Sequence, residues 1–258
     1  MKKTKKDLKN TRMGDMKFRL LLGKRKYVVD LSKDKFNTQF GEIDLKKLKK
    51  AKIGEKIKTH KGEEFTVAEP SLIDLLEKKA KRLPQIITPQ DGAMILAYTG
   101  LANDSVIVDA GAGSGFLSIF LAHYCCKGKV ISYEINQKSA KIAEENAKLI
   151  GLKNLTIKNK DILHGIDEKN VDAVTLDMKD AEKNVENAYN ALKRGGWLII
   201  YSPYIEQVKH VIEKIEKMPF TEVRTVEFIK REWQVGEYTR PKTLGLMHTG
   251  WLTFARKF

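Results

Sequence analysis

The chain has 258 residues, 42% of them hydrophobic, and a mean hydropathy of −0.39. That composition can bury a core, the length suits one large domain with a small satellite, and no apolar run approaches the roughly 18 residues of a membrane span. The net charge of +15 points to a polyanionic partner, nucleic acid before anionic membrane.

The start, MKKTKKDLKN, is charged but has no apolar stretch behind it, so no secretory signal is expected. Residues 1–16 read as a basic flexible tail. Short alternating segments follow: Phe18–Leu22, Lys26–Asp30, Lys56–Thr59 and Glu64–Ala68, punctuated by Gly23, Gly41, Gly54 and Gly62. This spacing predicts a small all-β domain over 17–68. Leu72, Ile73, Leu75, Leu76 and Ala80, with charges between them, predict an amphipathic linking helix within 69–84.

From 85 to 258 the texture alternates between strand and helix. The expected order is helix Asp91–Thr99, strand Ser105–Asp109, a Gly loop, helix Phe116–Tyr124, strand Val130–Glu134 and helix Gln137–Ile150. Strands Leu155–Lys158 and Val171–Leu176, helix Lys183–Leu192, strand Trp197–Tyr201 and helix Glu206–Lys217 come next, and strands Val223–Ile229 and Trp251–Ala255 end the chain. Apolar strands alternating with helices predict an α/β fold, with a parallel sheet covered on both faces. The last two strands lack a helix between them and predict a terminal antiparallel hairpin, the Rossmann-like arrangement of methyltransferases.

Cys125 and Cys126 are the only cysteines. With no CxxC, no paired Cys/His ligand set and no HExxH, no metal site is expected. The adjacent pair reads as two reduced side chains near a helix end, in a protein of the cytoplasm; an intersubunit disulfide is the alternative.

Asp109-Ala110-Gly111-Ala112-Gly113-Ser114-Gly115 sits where a strand runs into a helix, a place where backbone N–H groups can face a ligand. A dinucleotide fingerprint would need Gly or Ala at 116, where this chain has Phe116, and no P-loop motif occurs. Gly-x-Gly-x-Gly after an acidic strand end is the loop of S-adenosylmethionine (SAM) enzymes. Glu134 ends the second strand and can accept ribose hydroxyls. Asp161 follows the third strand and Asp177 ends the fourth. Each acid alone could merely cap the next helix; together, in register with the Gly loop, they line the crevice of such folds.

Over residues 41–258 the chain resembles the TrmI-type tRNA (adenine-N1)-methyltransferases of archaea and bacteria. The likeness rests on Thr59-His60-Lys61-Gly62 with Phe65, Gln85-Ile86-Ile87 leading into Pro89-Gln90-Asp91, the Gly loop, and Ser132-Tyr133-Glu134. It continues through Leu176-Asp177, Leu192–Gly196, Gln207-Val208, Arg240-Pro241, His248-Thr249-Gly250 and Phe254-Ala255-Arg256. The resemblance implies SAM as cofactor, tRNA as partner, a homotetramer, and methylation of N1 of a T-loop adenine (position 58, with 57 as a second candidate). It implies that Gln85, Asp109, Gly111, Gly113, Ser114, Gly115, Phe116, Glu134, Asp161, Ile162 and Asp177 contact the cofactor or the target base. Two departures stand out. Thr88 replaces the aromatic or His that many relatives carry before the proline, and Met178-Lys179-Asp180 replaces a proline-containing turn.

Adenine N1 attacks with its own lone pair, and the ring then carries positive charge that a carboxylate near N6 can balance. Asp177 is the expected catalytic group; the competing role is anchoring the SAM amino group. N1 lies on the Watson–Crick edge, so the base must be unstacked. Thr88, Tyr204, Arg240 and His248 are the candidate substrate residues, and Tyr201, Trp233 and Tyr238 are aromatics that could stack or simply pack. Lysines 46, 47, 49, 50, 52, 56, 58 and 61 crowd the small domain and suit RNA phosphates. The competing classes are a methylase of a small molecule such as a precorrin, or of rRNA, an NAD(P) oxidoreductase, and a non-catalytic RNA-binding protein.

Overall fold

The computed structural model describes residues 17–84, 87–243 and 248–258; the N-terminal tail, Gln85 and Ile86 lie outside the described residues. The chain divides into two compact units, one ending at Lys81 and the other running from Arg82 to Phe258.

The first unit contains β1 (Phe18–Leu22), β2 (Tyr27–Asp30), β3 (Lys35–Thr38), β4 (Gly41–Asp44), α1 (Leu45–Lys50), β5 (Lys56–Lys58), β6 (Glu64–Ala68) and α2 (Leu72–Lys78). Strands β2-β1-β6-β5 form one antiparallel sheet, and β3 pairs with β4 in a second. Leu21, Val29, Ile43, Phe65 and Val67 are fully buried in their shared core. The antiparallel strands match the expected β texture, but helix α1 was not legible in it. Asp44 caps this helix by accepting from Lys46 N, Leu45 and Leu48 drop into the core three residues apart, and the intervening lysines face solvent. A six-residue lysine run with two leucines reads as a charged loop until the cap is seen. Helix α2, expected as a linker, is a capped element of this unit: Ser71 and Asp74 form a reciprocal capping box.

The second unit contains α3 (Pro89–Thr99), β7 (Val106–Ala110), α4 (Phe116–Tyr124), β8 (Lys129–Tyr133), α5 (Gln137–Ile150), β9 (Leu155–Lys158), β10 (Val171–Leu176) and α6 (Val185–Ala191). It continues with β11 (Leu192–Ser202), α7 (Ile205–Ile215), β12 (Phe220–Glu227), β13 (Trp233–Gln234), β14 (Arg240–Pro241) and β15 (Trp251–Lys257). Seven strands form one sheet in the order β12-β15-β11-β10-β7-β8-β9. The five from β11 to β9 are parallel, and β15 runs antiparallel between β11 and β12. Helices cover both faces, so successive residues of a central strand enter different cores. Ile107 packs with Ile95, Leu121 and Trp197, whereas Val108 packs with Val174, Val185 and Leu198. The strand β11 begins five residues earlier than its apolar run, because Lys193, Arg194 and Gly195 extend it on a solvated stretch.

The sheet order places β7 and β10 side by side although their neighbours in sequence lie on opposite flanks. That reversal opens a crevice at their carboxyl ends, where α/β sheets hold ligands. Cys125 is buried and Cys126 exposed, and both are free; burial pushes the Cys125 thiol up to about 11, which keeps it protonated. Among the described residues no helix is long and apolar enough to cross a membrane.

Candidate methyl-transfer site

Two adjoining cavities occupy the crevice. A narrow one of about 30 Å³ is lined by Ile87, Asp109, Gly111, Ala112, Gly113, Ser114, Phe116, Leu117 and Asp177. A wider one of about 570 Å³ shares Gly111, Gly113 and Asp177, and adds Tyr133, Glu134, Ile135, Lys160, Asp161, Ile162, Met178, Lys179, Pro203, Tyr204 and Gln207 among others.

The loop after β7 brings these together because two of its glycines do what no other residue could. A Cβ on Gly111 would lie 2.5 Å from the carbonyl oxygen of Asp177, so the loop passes directly over the end of β10, and Asp177 N donates to Ala110 O at 2.6 Å. Gly115 starts α4 with φ +81°, and a Cβ there would press on Ala143 of α5 at 3.1 Å. Gly115 therefore seats the helix from behind, and is not itself among the lining residues.

Around this loop the carboxylates are fixed by donors. Asp109, at the end of β7, accepts from Ser132 Oγ and Thr175 Oγ1, both at 2.6 Å; burial raises its pKa, with the two hydroxyls opposing the shift. Glu134 accepts from Gly113 N through one oxygen and from Asn136 N through the other, each at 2.8 Å. Each oxygen keeps a second lone pair. Asp161 caps the 3₁₀ turn Ile162–His164 by accepting from Leu163 N at 2.8 Å. Asp91, in the first turn of α3, accepts from Thr88 N and Thr88 Oγ1 and from Thr249 Oγ1.

Asp177 differs from all of them. Among the described residues no donor reaches its carboxylate, and it borders both cavities. Burial pushes its pKa up to about 7, and the charges of Asp109 and Asp91 add to that rise. A carboxyl group poised near neutrality and short of partners is suited to meet a cationic or proton-bearing ligand.

The residues present fit SAM. Ser114 Oγ is buried without a hydrogen-bond partner among the described residues, Glu134 has spare acceptor capacity, and the loop leaves room where side chains would otherwise stand. Among the described residues no group of three or more His, Cys, Asp or Glu is placed to hold a metal ion.

Of the residues singled out from sequence, Asp109, Gly111, Gly113, Ser114, Phe116, Glu134, Asp161, Ile162, Asp177 and Tyr204 converge on the cavities, while Gln85 lies outside the described residues. Besides Gly115, three stand elsewhere. Thr88 spends its hydroxyl capping α3, Arg240 lies exposed on β14, and His248 pairs with Glu227 beside the Trp251 ring. Met178 and Lys179 line the wider cavity at the turn already noted as a departure. The roles of Asp91 and Thr249 gave no sequence signal beyond their motifs, because their contact spans 158 positions.

Residues 77–243 match the family model described as the tRNA methyltransferase complex GCD14 subunit. The chain belongs to that family. The TrmI tRNA (adenine(57)-N(1)/adenine(58)-N(1))-methyltransferase of Methanocaldococcus jannaschii is 36% identical, covering 93% of this chain and 94% of its own length. A SAM-dependent O-methyltransferase structure from Thermotoga maritima superposes with a TM-score of 0.86 at 35% identity, covering 95% of this chain and 94% of that one. The tRNA (m1A58) methyltransferase TrmI of Aquifex aeolicus gives 0.80 at 25% identity, covering 93% and 96%. The expected sheet, parallel with a terminal antiparallel hairpin, is that of these class I methyltransferase structures.

Proposed function

We propose that this chain transfers the methyl group of SAM to N1 of adenine 58 in tRNA, with adenine 57 as a second target. The family membership and the relative of known specificity from Methanocaldococcus jannaschii support the acceptor. The single observation that carries the chemistry is that Asp177 borders both cavities without a donor among the described residues, whereas Asp91, Asp109, Glu134 and Asp161 are each already hydrogen-bonded.

When bound, SAM supplies a methyl group on a sulfonium, whose carbon–sulfur bond breaks as the N1 lone pair attacks in line. The chain's own task is placement and charge. Glu134 takes the ribose hydroxyls on its free lone pairs, and Asp161 and Ile162 border the adenine end of the wider cavity. Ser114 Oγ and the narrow cavity hold the amino-acid end. Asp177 accepts a hydrogen bond from N6 of the target adenine and balances the positive charge that grows as N1 takes the methyl group. Its affinity for protons near neutrality also lets it receive the N6 proton afterwards. Tyr204, 60% exposed at the rim, offers a ring for the unstacked base.

Lys46, Lys47, Lys49, Lys50, Lys52 and Lys61 are exposed and make no ion pair among the described residues, unlike Lys56 and Lys58, which are tied to Glu64. These unpaired lysines are our candidates for the tRNA backbone. The assembly we infer is a homotetramer, for which exposed Ile229, Trp233, Val235 and Tyr238 supply apolar contact surface, working in the cytoplasm with its tRNA.

The test is incubation with labelled SAM and bulk tRNA, digestion, and identification of the methylated nucleoside. 1-Methyladenosine is expected. A ribose O-methylated nucleoside, or label only in small molecules, would overturn the acceptor.

A further inference from the structure

The acceptor side of the crevice is held by a hydrogen-bond chain that no sequence motif announces. Asp91 is 2% exposed and occupies the third position of α3. One of its oxygens completes the capping box with Thr88, at 3.2 Å to the backbone N and 2.7 Å to Oγ1. A capping box needs only that oxygen. The other accepts from Thr249 Oγ1 at 3.2 Å, on the segment leading into β15. The carbonyl of Thr249 in turn accepts from the hydroxyl of Tyr201, at the end of β11. The next residue, Gly250, lies flat on the Tyr201 ring, where a Cβ would come within 2.6 Å of Cζ. Burial, with the charges of Asp91 and Asp177 adding to it, pushes the Tyr201 pKa up to about 12, so the phenol stays protonated and remains a donor.

We infer that Asp91 and Thr249 are positioning residues for the transfer step: they clasp the segment leading into β15 to the start of α3 and so fix the Tyr201 phenol beside Asp177. The inference rests on the methyl-transfer reading above. Asp91, Thr249 and Tyr201 line neither of the two cavities described above, so none is expected to touch SAM. The effect of Asp91 and Thr249 passes through Tyr201, and it falls on where the target base lies relative to Asp177. Misplacement of a reacting group by about an ångström costs on the order of 100-fold in rate.

The experiment is single-turnover methylation of tRNA by the wild type, Thr249→Val and Thr249→Ser, with SAM affinity measured separately by calorimetry. Thr249→Val keeps the shape and the backbone carbonyl but removes the hydroxyl that Asp91 holds. Its rate is expected to fall roughly ten- to hundred-fold with SAM affinity within two-fold of wild type, and Thr249→Ser is expected to restore most of the rate. Tyr201→Phe should show a similar loss, and the double variant Thr249→Val/Tyr201→Phe should be little worse than the weaker single variant, because both cut one chain. A wild-type rate in Thr249→Val, a parallel loss of SAM affinity, or additive losses in the double variant would overturn the inference. A wild type that forms no 1-methyladenosine would instead overturn the reading on which it rests.

Discussion

Glu134 and Asp177 border the same wide cavity, yet the side we assign to the donor and the side we assign to the acceptor are built on different terms. Around Glu134, both carboxylate oxygens are engaged by backbone N–H groups of the loop and of Asn136. Around Asp177, no such donor exists among the described residues, and burial, with two further acids, raises its proton affinity. A carboxylate that meets its donors within the fold has a fixed place and can present its remaining lone pairs to a neutral hydroxyl. One left without donors has its desolvation cost uncompensated until a ligand arrives. The first arrangement suits binding a cofactor; the second suits a charge that appears only during reaction.

The largest expected effect breaks the acceptor side. Asp177→Asn keeps the shape and removes the charge, and loss of one preorganised electrostatic group typically costs roughly 10²–10³ in rate. We expect kcat to fall by that factor with little change in KM for SAM, read by single-turnover methylation of tRNA at saturating SAM. Weak SAM binding at near-normal rate would make Asp177 a cofactor anchor.

Next comes the donor side. Glu134→Ala removes a carboxylate whose hydrogen bonds are worth about 1.5–3 kcal/mol, and every 1.4 kcal/mol or so is ten-fold in affinity. SAM binding, followed by calorimetry, should weaken roughly ten- to hundred-fold. Unchanged affinity would remove Glu134 from the site.

A third measurement sharpens the contrast through stability. In the folded chain without SAM, Asp177 holds its proton up to about pH 7, while in the unfolded chain it releases it near 3.8. Between these values the unfolded state binds fewer protons, so the Asp177 contribution to stability falls as pH rises, and the full penalty is present above 7. Asp177→Asn lacks that penalty. It should be more stable than wild type at pH 8 by an amount on the order of a few kcal/mol, read as a higher unfolding temperature, and the difference should vanish below about pH 4. The substitution that most damages turnover is thus expected to stabilise the protein. Glu134→Ala should show no such gain, because its partners lose their acceptor.

The smallest effect lies on the first unit. Replacing Lys46, Lys49 and Lys50 by Gln should lower the slope of log K for tRNA against log salt by nearly one per lost phosphate contact, leaving SAM affinity unchanged. An unaltered slope would return the lysines of α1 to a solvated face without an RNA role.

Much of this crevice was readable residue by residue. The loop Asp109–Gly115, Glu134, Asp161 and Asp177 each sit at or just past the end of a strand, and strand ends in a βα alternation can be counted along the chain. Helices Phe116–Tyr124 and Gln137–Ile150 carry their own boundaries, the first through Gly115 and the second through Asn136 and Gly151. What stayed hidden depends on contacts between distant positions. Asp91 looks like an ordinary capping residue until Thr249 arrives from the far end of the chain. Asp177 and Asp161 look alike in sequence, and only the packing around them decides which one keeps its donor. Strands β3 and β4 escaped because Lys35–Thr38 is exposed or half-buried and carries no alternating apolar face.

The close passage of Gly111 over the Asp177 carbonyl has a practical consequence for anyone wishing to widen the donor specificity. The loop and the acid at the end of β10 form one block: a side chain at 111 would displace the carbonyl of Asp177 and carry its carboxylate with it. Room for a sulfonium analogue with a bulkier transferable group cannot be carved there without shifting the very group to which we assign the transfer. It has to come from elsewhere on the rim, where Tyr204 borders the wide cavity with an exposed side chain. Alkyl groups longer than methyl should accordingly be admitted by trimming Tyr204, and refused by any change at 111.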